Sequence, residues 1–236
     1  MGLRKNFTLN DEILSIKEVY EYENENVVNQ RFNLKDNEGC MCEYIAGPLK
    51  NKFALGILYT NKKTVSIGIG VSMKDLIKWK KKPYELIDEL KAVKPVSDLL
   101  EGAKPIEYSA HLIPESSPIT MPKLYGDGVM VIGDAAMLVN NLHFEGTNLA
   151  IMSGIFAAKT AINAFNANDF SKKTLKNYEK LIKKSFIYKD ICSYKNVMRT
   201  LHRNSDTFMG YYMDKANEFF EIFTQTNSIP KKDKYK

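Results

Sequence analysis

Hydrophobic positions change their period several times along this chain, and each change marks an element. Residues 12–22 alternate as a strand does. Residues 25–34 instead place Val27, Val28, Arg31 and Phe32 at helical spacing behind Asn24, a residue suited to capping a first turn. Strand-like segments follow at 40–46 and 53–60. Val65, Ile67, Ile69 and Val71 then alternate with Ser66, Gly68, Gly70 and Ser72, so a fourth strand carries bulk on one face and almost none on the other. Asn61-Lys62-Lys63 predicts a hairpin turn with an asparagine that tolerates the left-handed region. The sparse face leaves two readings open: a flat ligand laid closely on the sheet, or tight structural packing.

Pro83 opens a helix carrying Leu86, Ile87, Leu90 and Val93, which Lys94-Pro95 should end, and residues 106–113 return as a strand. Glu107 and His111 share one face of that strand and are assigned to packing and local pairing. Residues 129–132 are four apolar positions without alternation, too few for a helix, and predict a strand covered on both faces. Gly133 lets the chain turn where a Cβ would meet a ligand. Asp134 sets a short acceptor carboxylate at the strand's carboxyl end, where ligand hydroxyls can donate to it. Gly146 precedes a long helical pattern, so bare N–H groups and the positive end of a helix dipole face the same crevice. Ala150, Ser153, Gly154, Ala157, Ala158 and Ala161 form a small-residue stripe that allows this helix to seat closely on the sheet. Asp169 and Ser171 can cap a further amphipathic helix with Leu175, Tyr178, Leu181 and Ile182. Phe208, Tyr211, Tyr212, Phe219, Phe220 and Phe223 then make an aromatic-rich tail, read either as a packed helical hairpin or as a quinone or membrane contact.

Composition narrows the function class. With 236 residues, 44% hydrophobic and 26% charged, the chain is of ordinary globular make-up and long enough for one large domain or two small ones. No apolar run approaches the roughly 20 residues that cross a bilayer, and Met1-Gly2-Leu3-Arg4-Lys5-Asn6 is not followed by a signal-peptide core. Cys40, Cys42 and Cys192 are too few and too oddly spaced for a disulfide framework, which points to a reducing cytoplasm. Cys40-x-Cys42 places both thiols on one strand face, but an iron–sulfur cluster needs about four thiolates, and no His/Asp/Glu pattern suggests a metal. The net charge of +6 and pI near 9.0 invite a nucleic-acid reading. It is rejected, because Lys78-Trp79-Lys80-Lys81-Lys82, Lys172-Lys173, Lys183-Lys184 and the tail from Lys231 are separate clusters with no recognition motif around them. They read as solvated faces, the alternative being a surface for an acidic partner or anionic lipid, with Trp79 as its support.

The run Gly133-Asp134-Ala135-Ala136, then Val139-Asn140-Asn141, His143, Glu145-Gly146-Thr147-Asn148-Leu149-Ala150 and Ser153-Gly154 resembles the second flavin-contacting motif of FixC-type electron transfer flavoprotein–quinone oxidoreductases. These belong to the wider geranylgeranyl reductase and p-hydroxybenzoate hydroxylase-like class. The resemblance also takes in Lys17-Glu18-Val19, Asn37-Glu38-Gly39, Leu58-Tyr59-Thr60-Asn61 and Glu107-Tyr108-Ser109-Ala110-His111-Leu112-Ile113-Pro114-Glu115, and fades beyond about residue 180. The class also carries a first motif, Gly-x-Gly-x-x-Gly, that holds the dinucleotide pyrophosphate. Here Gly68-x-Gly70 is followed by Met73 and Gly126-x-Gly128 by Val131, so neither supplies the third glycine. The chain therefore matches the C-terminal half of the pattern, and Met1 is read as an internal start, a split reading frame or an expression boundary.

The resemblance implies an α/β fold, the C-terminal part of a two-domain FAD-dependent oxidoreductase. It comprises an antiparallel or mixed substrate-domain sheet, part of a Rossmann-like FAD domain and C-terminal helices. The expected divisions are a connecting strand at 1–22, the sheet domain at 23–114, the FAD-domain part at 115–168 and helices at 169–236. FAD is the implied cofactor, with Gly133, Asp134, Ala135, Gly146, Thr147 and Asn148 as its contacts and His143 as a weak catalytic candidate. The implied partners are electron transfer flavoprotein subunits, a ferredoxin-like protein and quinone, in the cytoplasm or peripherally on the inner face of a membrane. Two alternatives stand beside electron transfer: reduction of isoprenoid double bonds, and a non-catalytic remnant or subunit.

Overall fold

Strand and helix periods separate cleanly in the computed structural model, which describes residues 2–4, 8–9, 12–45, 49, 54–115, 117–143, 145–224 and 226. In chain order the elements are β1 (Glu12–Glu21), α1 (Glu25–Phe32), β2 (Met41–Tyr44), β3 (Ala54–Thr60), β4 (Thr64–Ser72), α2 (Met73–Trp79), α3 (Pro83–Lys91), α4 (Lys94–Leu100), β5 (Lys104–Pro114), β6 (Tyr125–Gly126), β7 (Val129–Met130), α5 (Thr147–Asn166), α6 (Lys172–Lys184), α7 (Phe186–Ser193), α8 (Val197–Arg203) and α9 (Tyr212–Thr224). Two compact units emerge. One comprises Met1–Leu14, Ser72–Lys74 and His111–Thr200, and the other Ser15–Val71, Asp75–Ala110 and Leu201–Lys236.

The second unit is built on the sheet β2-β3-β4-β1-β5. β2, β3 and β4 are antiparallel, with Cys42 opposite Leu58 and Gly56 opposite Ile69. Val65, Ile67, Ile69 and Val71 are buried as their alternation predicts, together with Ala54 and Leu58 of β3. Leu86, Ile87 and Leu90 of α3 are buried too, and a Cβ on Gly56 would come within 2.8 Å of Leu90 Cδ2, so glycine there lets the helix sit down on the sheet. The sparse face of β4 also has a structural reason at Gly68. A Cβ added at that position would lie 2.9 Å from the Ile16 carbonyl oxygen, so the space belongs to the β1 backbone rather than to a ligand.

Several local expectations change. The β3–β4 hairpin itself stands as expected: Asn61 closes it by donating its N–H to Thr64 O (2.7 Å) and its side-chain amide to Thr64 Oγ1 (3.3 Å), and its backbone does not use the left-handed region it tolerates. Lys94-Pro95 does not simply end α3. Proline lies in the first turn of a new helix, α4, where a missing N–H costs nothing. Glu107 pairs with Lys17 (3.5 Å), but His111 is exposed rather than packed. The basic clusters find local partners, Lys81 with Glu89, Lys172 with Asp127 (2.8 Å) and Lys183 with Glu179 (3.2 Å), as solvated faces do, while the tail from Lys231 lies outside the described residues. Among the described residues, no helix is long and apolar enough to cross a membrane.

The first unit is mostly helical. α5 buries Leu149, Ser153, Ala157, Thr160 and Ala164, and packs against α6, which buries Leu175, Tyr178 and Ile182. The buried stripe is therefore offset from the predicted one. Ala158 is exposed, and a Cβ on Gly154 would meet nothing within 4 Å. The strand expected at 129–132 shrinks to the two residues of β7, paired with β6 alone among the described residues. Val129 and Met130 are half-buried and Ile132 is 45% exposed, because a two-residue ladder has no neighbouring strands to cover both faces.

Tyr178 ties α6 to this segment, its hydroxyl donating to Val131 O (2.9 Å) from a fully buried side chain. Burial pushes the phenol up to about 12 from an ordinary 10.0. The fold thus holds the neutral form, and the stabilisation is complete below pH 10 and lost as pH rises toward 12. Tyr178→Phe should cost about 0.5–1.5 kcal/mol at neutral pH through the lost hydrogen bond. It should also flatten the decline in stability over that alkaline window. Urea unfolding at a series of pH values measures both, and an unchanged alkaline decline would assign it to another group.

Candidate functional site

Leaving β7, the chain makes one 3-10 turn, Gly133–Ala136, before reaching α5. Gly133 has φ +62°, in the left-handed region that glycine adopts without a steric penalty. Its N–H donates to Ser153 Oγ (2.9 Å), and that hydroxyl donates to Ala150 O (2.8 Å), so one side chain bolts the turn to the first turns of α5. A Cβ on Gly133 would stand 3.4 Å from Ala150 Cβ. The left-handed backbone is therefore what demands glycine here, and the side a Cβ would occupy faces Ala150 of the helix, where the sequence pattern suggested a ligand. The turn closes through Met137 N–H to Asp134 O (2.7 Å) and Leu138 N–H to Gly133 O (3.1 Å), with Ala136, Met137 and Leu138 buried.

With its inner side fixed, the turn presents Asp134 and Ala135 outward, both exposed. They line an open cavity of about 190 Å³ with Arg4, Glu12, Leu112, Ile113 and Pro114. Arg4 is held beside the turn by a contact from Nη2 to Met137 Sδ (3.4 Å). One guanidinium and two carboxylates thus edge a partly apolar hollow. That set can accept hydroxyl protons at Asp134 and offer N–H donors at Arg4.

The second glycine has a different standing. Gly146 is the N-cap of α5, with no side-chain cap and an ordinary negative φ of −139°. A Cβ there would rest 3.5 Å from Val139 Cγ1, a normal contact, so the fold does not require glycine at this position. Asn148 Oδ1 accepts the Leu149 N–H (2.9 Å), and Thr147 and Asn148 are exposed. The preceding loop is closed by paired backbone bonds between Asn140 and Glu145 (2.8 and 3.1 Å) and by Asn141 Nδ2 donating to Pro114 O (3.3 Å). His143 is exposed on this loop, its ring edge-on to Tyr194 at 4.9 Å. The structure thus brings Asp134 and Ala135 to the cavity, buries Gly133 behind them, and sets Gly146, Thr147 and Asn148 at the helix start outside the cavity lining. Arg4 and Glu12 carried no site signal in the sequence; their spacing from Asp134 is a tertiary fact.

Proteins of similar sequence match nearly the whole chain. Protein FixC of Azorhizobium caulinodans is 36% identical over 224 residues, covering 94% of this chain and 51% of that protein. Protein FixC of Bradyrhizobium diazoefficiens is 35% identical over 236 residues, covering 100% of this chain and 54% of that protein. The chain belongs to the FixC-like family. It spans about half the length of these FixC relatives. No family model matches it. Among solved structures, a geranylgeranyl bacteriochlorophyll reductase-like protein from Thermoplasma acidophilum aligns with a TM-score of 0.57 at 20% identity, over 85% of this chain and 48% of that one. The flavin-dependent brominase Bmp2 aligns at 0.55 and 16%, over 93% and 50%. At such identity these neighbours establish the fold. The FixC-like chain is a mixed α/β structure whose fold matches about half of each of these two chains.

Proposed function

We propose that this chain forms the flavin-facing part of a FixC-like FAD-dependent oxidoreductase that moves electrons from an electron transfer flavoprotein toward quinone or a ferredoxin-like protein. The observation that carries the reading is the Gly133–Ala136 turn, bolted to α5 through Ser153 and holding the Asp134 carboxylate at an open cavity, in a chain 35–36% identical to FixC proteins. The cavity's size fits a portion of the cofactor only: about 190 Å³ falls below the roughly 300–1,000 Å³ typical of whole-ligand pockets. Asp134 would accept from FAD hydroxyls. Ala135 would line the same contact, and the N–H groups of Gly146, Thr147 and Asn148 at the positive end of α5 would favour negative charge on the ring. Bound flavin supplies the redox chemistry, and the protein orients it and tunes its electronics. Electron transfer of this kind needs no protein nucleophile, and His143 is at most a proton donor in this scheme. The charged edge of Arg4, Glu12 and Asp134 gives no support to an isoprenoid substrate at this cavity.

Two measurements test the reading. The chain alone, lacking the Gly-x-Gly-x-x-Gly motif, should bind FAD weakly, and a stoichiometrically yellow protein would overturn that expectation. Mixed with a polypeptide equal to the other half of A. caulinodans FixC, it should hold FAD that reduced electron transfer flavoprotein bleaches and a soluble quinone reoxidises. Bleaching by a nicotinamide cofactor coupled to saturation of a geranylgeranyl chain would instead establish the reductase alternative. A complex that never retains FAD would leave a non-catalytic subunit.

A further inference from the structure

Cys40 and Cys42 sit at the edge of the sheet with their Sγ atoms 3.7 Å apart. Both are half-buried, as is Tyr44 on the same side of the strand, while Met41 and Glu43 face solvent. Among the described residues, β2 is the outermost strand and pairs only with β3. Extended geometry sets Cα atoms two residues apart at roughly 6.4–6.8 Å. That lies at the upper end of the span a disulfide tolerates, about 4.4–6.8 Å, so the two sulfurs can bond if the edge strand puckers slightly. Cys40 is anchored, its N–H donating to Thr60 Oγ1 (2.9 Å) and its carbonyl accepting the Thr60 N–H (3.0 Å). The adjustment therefore falls on Cys42 and its pairing with Leu58.

We propose that Cys40 and Cys42 form a thiol–disulfide exchange site, a dithiol that a small-molecule disulfide such as oxidised glutathione converts reversibly into an intrastrand disulfide. The Cys40 thiolate attacks one sulfur of the oxidant, forming a mixed disulfide and releasing one glutathione thiolate. Cys42, losing its proton to solvent, then attacks the Cys40 sulfur, forms the Sγ–Sγ bond and releases the second glutathione. The two protein thiols give up two electrons and two protons, and the oxidant takes them up as two thiols. Burial, with the adjacent Cys40, pushes the Cys42 thiol up, which suits it to the second, proximity-driven step. A bond formed at the limit of favourable geometry is readily reduced, so this one follows the surrounding redox poise instead of stapling the fold.

The test is oxidation of the full chain with oxidised glutathione, an acid quench, alkylation and peptide mass analysis. Cys40 and Cys42 should lose alkylation together, in a peptide lighter by two hydrogens, while Cys192 keeps it; excess reduced glutathione should restore both thiols. Cys42→Ser should arrest the reaction as a glutathione adduct on Cys40, and Cys192→Ser should change nothing. Persistent alkylation of both thiols in the wild-type chain, separate glutathione adducts on each, or disulfide-linked dimers would overturn the proposal. That readout on the wild type decides even if a variant folds poorly, and it is independent of flavin binding.

Discussion

Gly133→Val should unfold this protein far more easily than any other single change at the candidate site. The backbone at residue 133 stands at φ +62°, where a non-glycine residue costs about 1–3 kcal/mol and a β-branched one lies at the upper end. A valine there also pushes its γ-methyls beyond a Cβ already 3.4 Å from Ala150, adding about 1–3 kcal/mol of overpacking. The expected loss is roughly 2–6 kcal/mol, a large share of the 5–15 kcal/mol that holds an ordinary domain together. Gly133→Ala separates the two contributions. A lone Cβ at 3.4 Å is tolerable, so alanine should show chiefly the conformational cost of about 1–2 kcal/mol. Urea unfolding of the three proteins gives the ranking, and a valine variant as stable as wild type would mean that the turn relaxes out of its left-handed form.

The same glycine shows how far sequence reading reaches. That a turn stands at 133, and that a helix follows Gly146, is legible because both are local: glycine marks the turn, and the period of residues 147–166 marks the helix. What the glycine accommodates is not local. The sequence pattern placed a ligand against Gly133, and Ala150 occupies that side; it offered a flat ligand as one occupant of the space at Gly68, and the Ile16 carbonyl fills it. A missing side chain announces a close approach without naming what approaches. Apolarity has a similar limit. Residues 129–132 are as apolar as a central strand, yet cover depends on neighbouring strands that no local pattern encodes. Short helices fare worst. α2 and α4 have seven residues each, too few to declare a period, and Pro95 stands equally well after one helix or within the first turn of the next. Arg4 and Glu12 join Asp134 only through tertiary folding, which is why the acidic residue of the turn was visible in the sequence and its neighbours at the cavity were not.

Asp134→Ala is expected to separate binding from stability. The carboxylate is exposed at the cavity and belongs to a turn whose closure uses backbone groups, Met137 N–H to Asp134 O and Leu138 N–H to Gly133 O, which alanine preserves. Removing the side chain should therefore leave the unfolding midpoint nearly unchanged, within the ±0.5 kcal/mol or so usual for surface substitutions. In the FAD-retaining complex the same change deletes a charged acceptor from ligand hydroxyls, a loss of about 1.5–3 kcal/mol, or roughly 10- to 150-fold in the FAD dissociation constant. Asp134→Asn discriminates further, because its amide oxygen still accepts a hydrogen bond without the charge; it should fall between wild type and alanine. Flavin fluorescence titration and thermal unfolding of the same preparations provide the two axes. A weakened affinity with an unmoved midpoint supports the ligand role, a lowered midpoint with unchanged affinity makes Asp134 a structural turn residue, and no change on either axis removes it from the site.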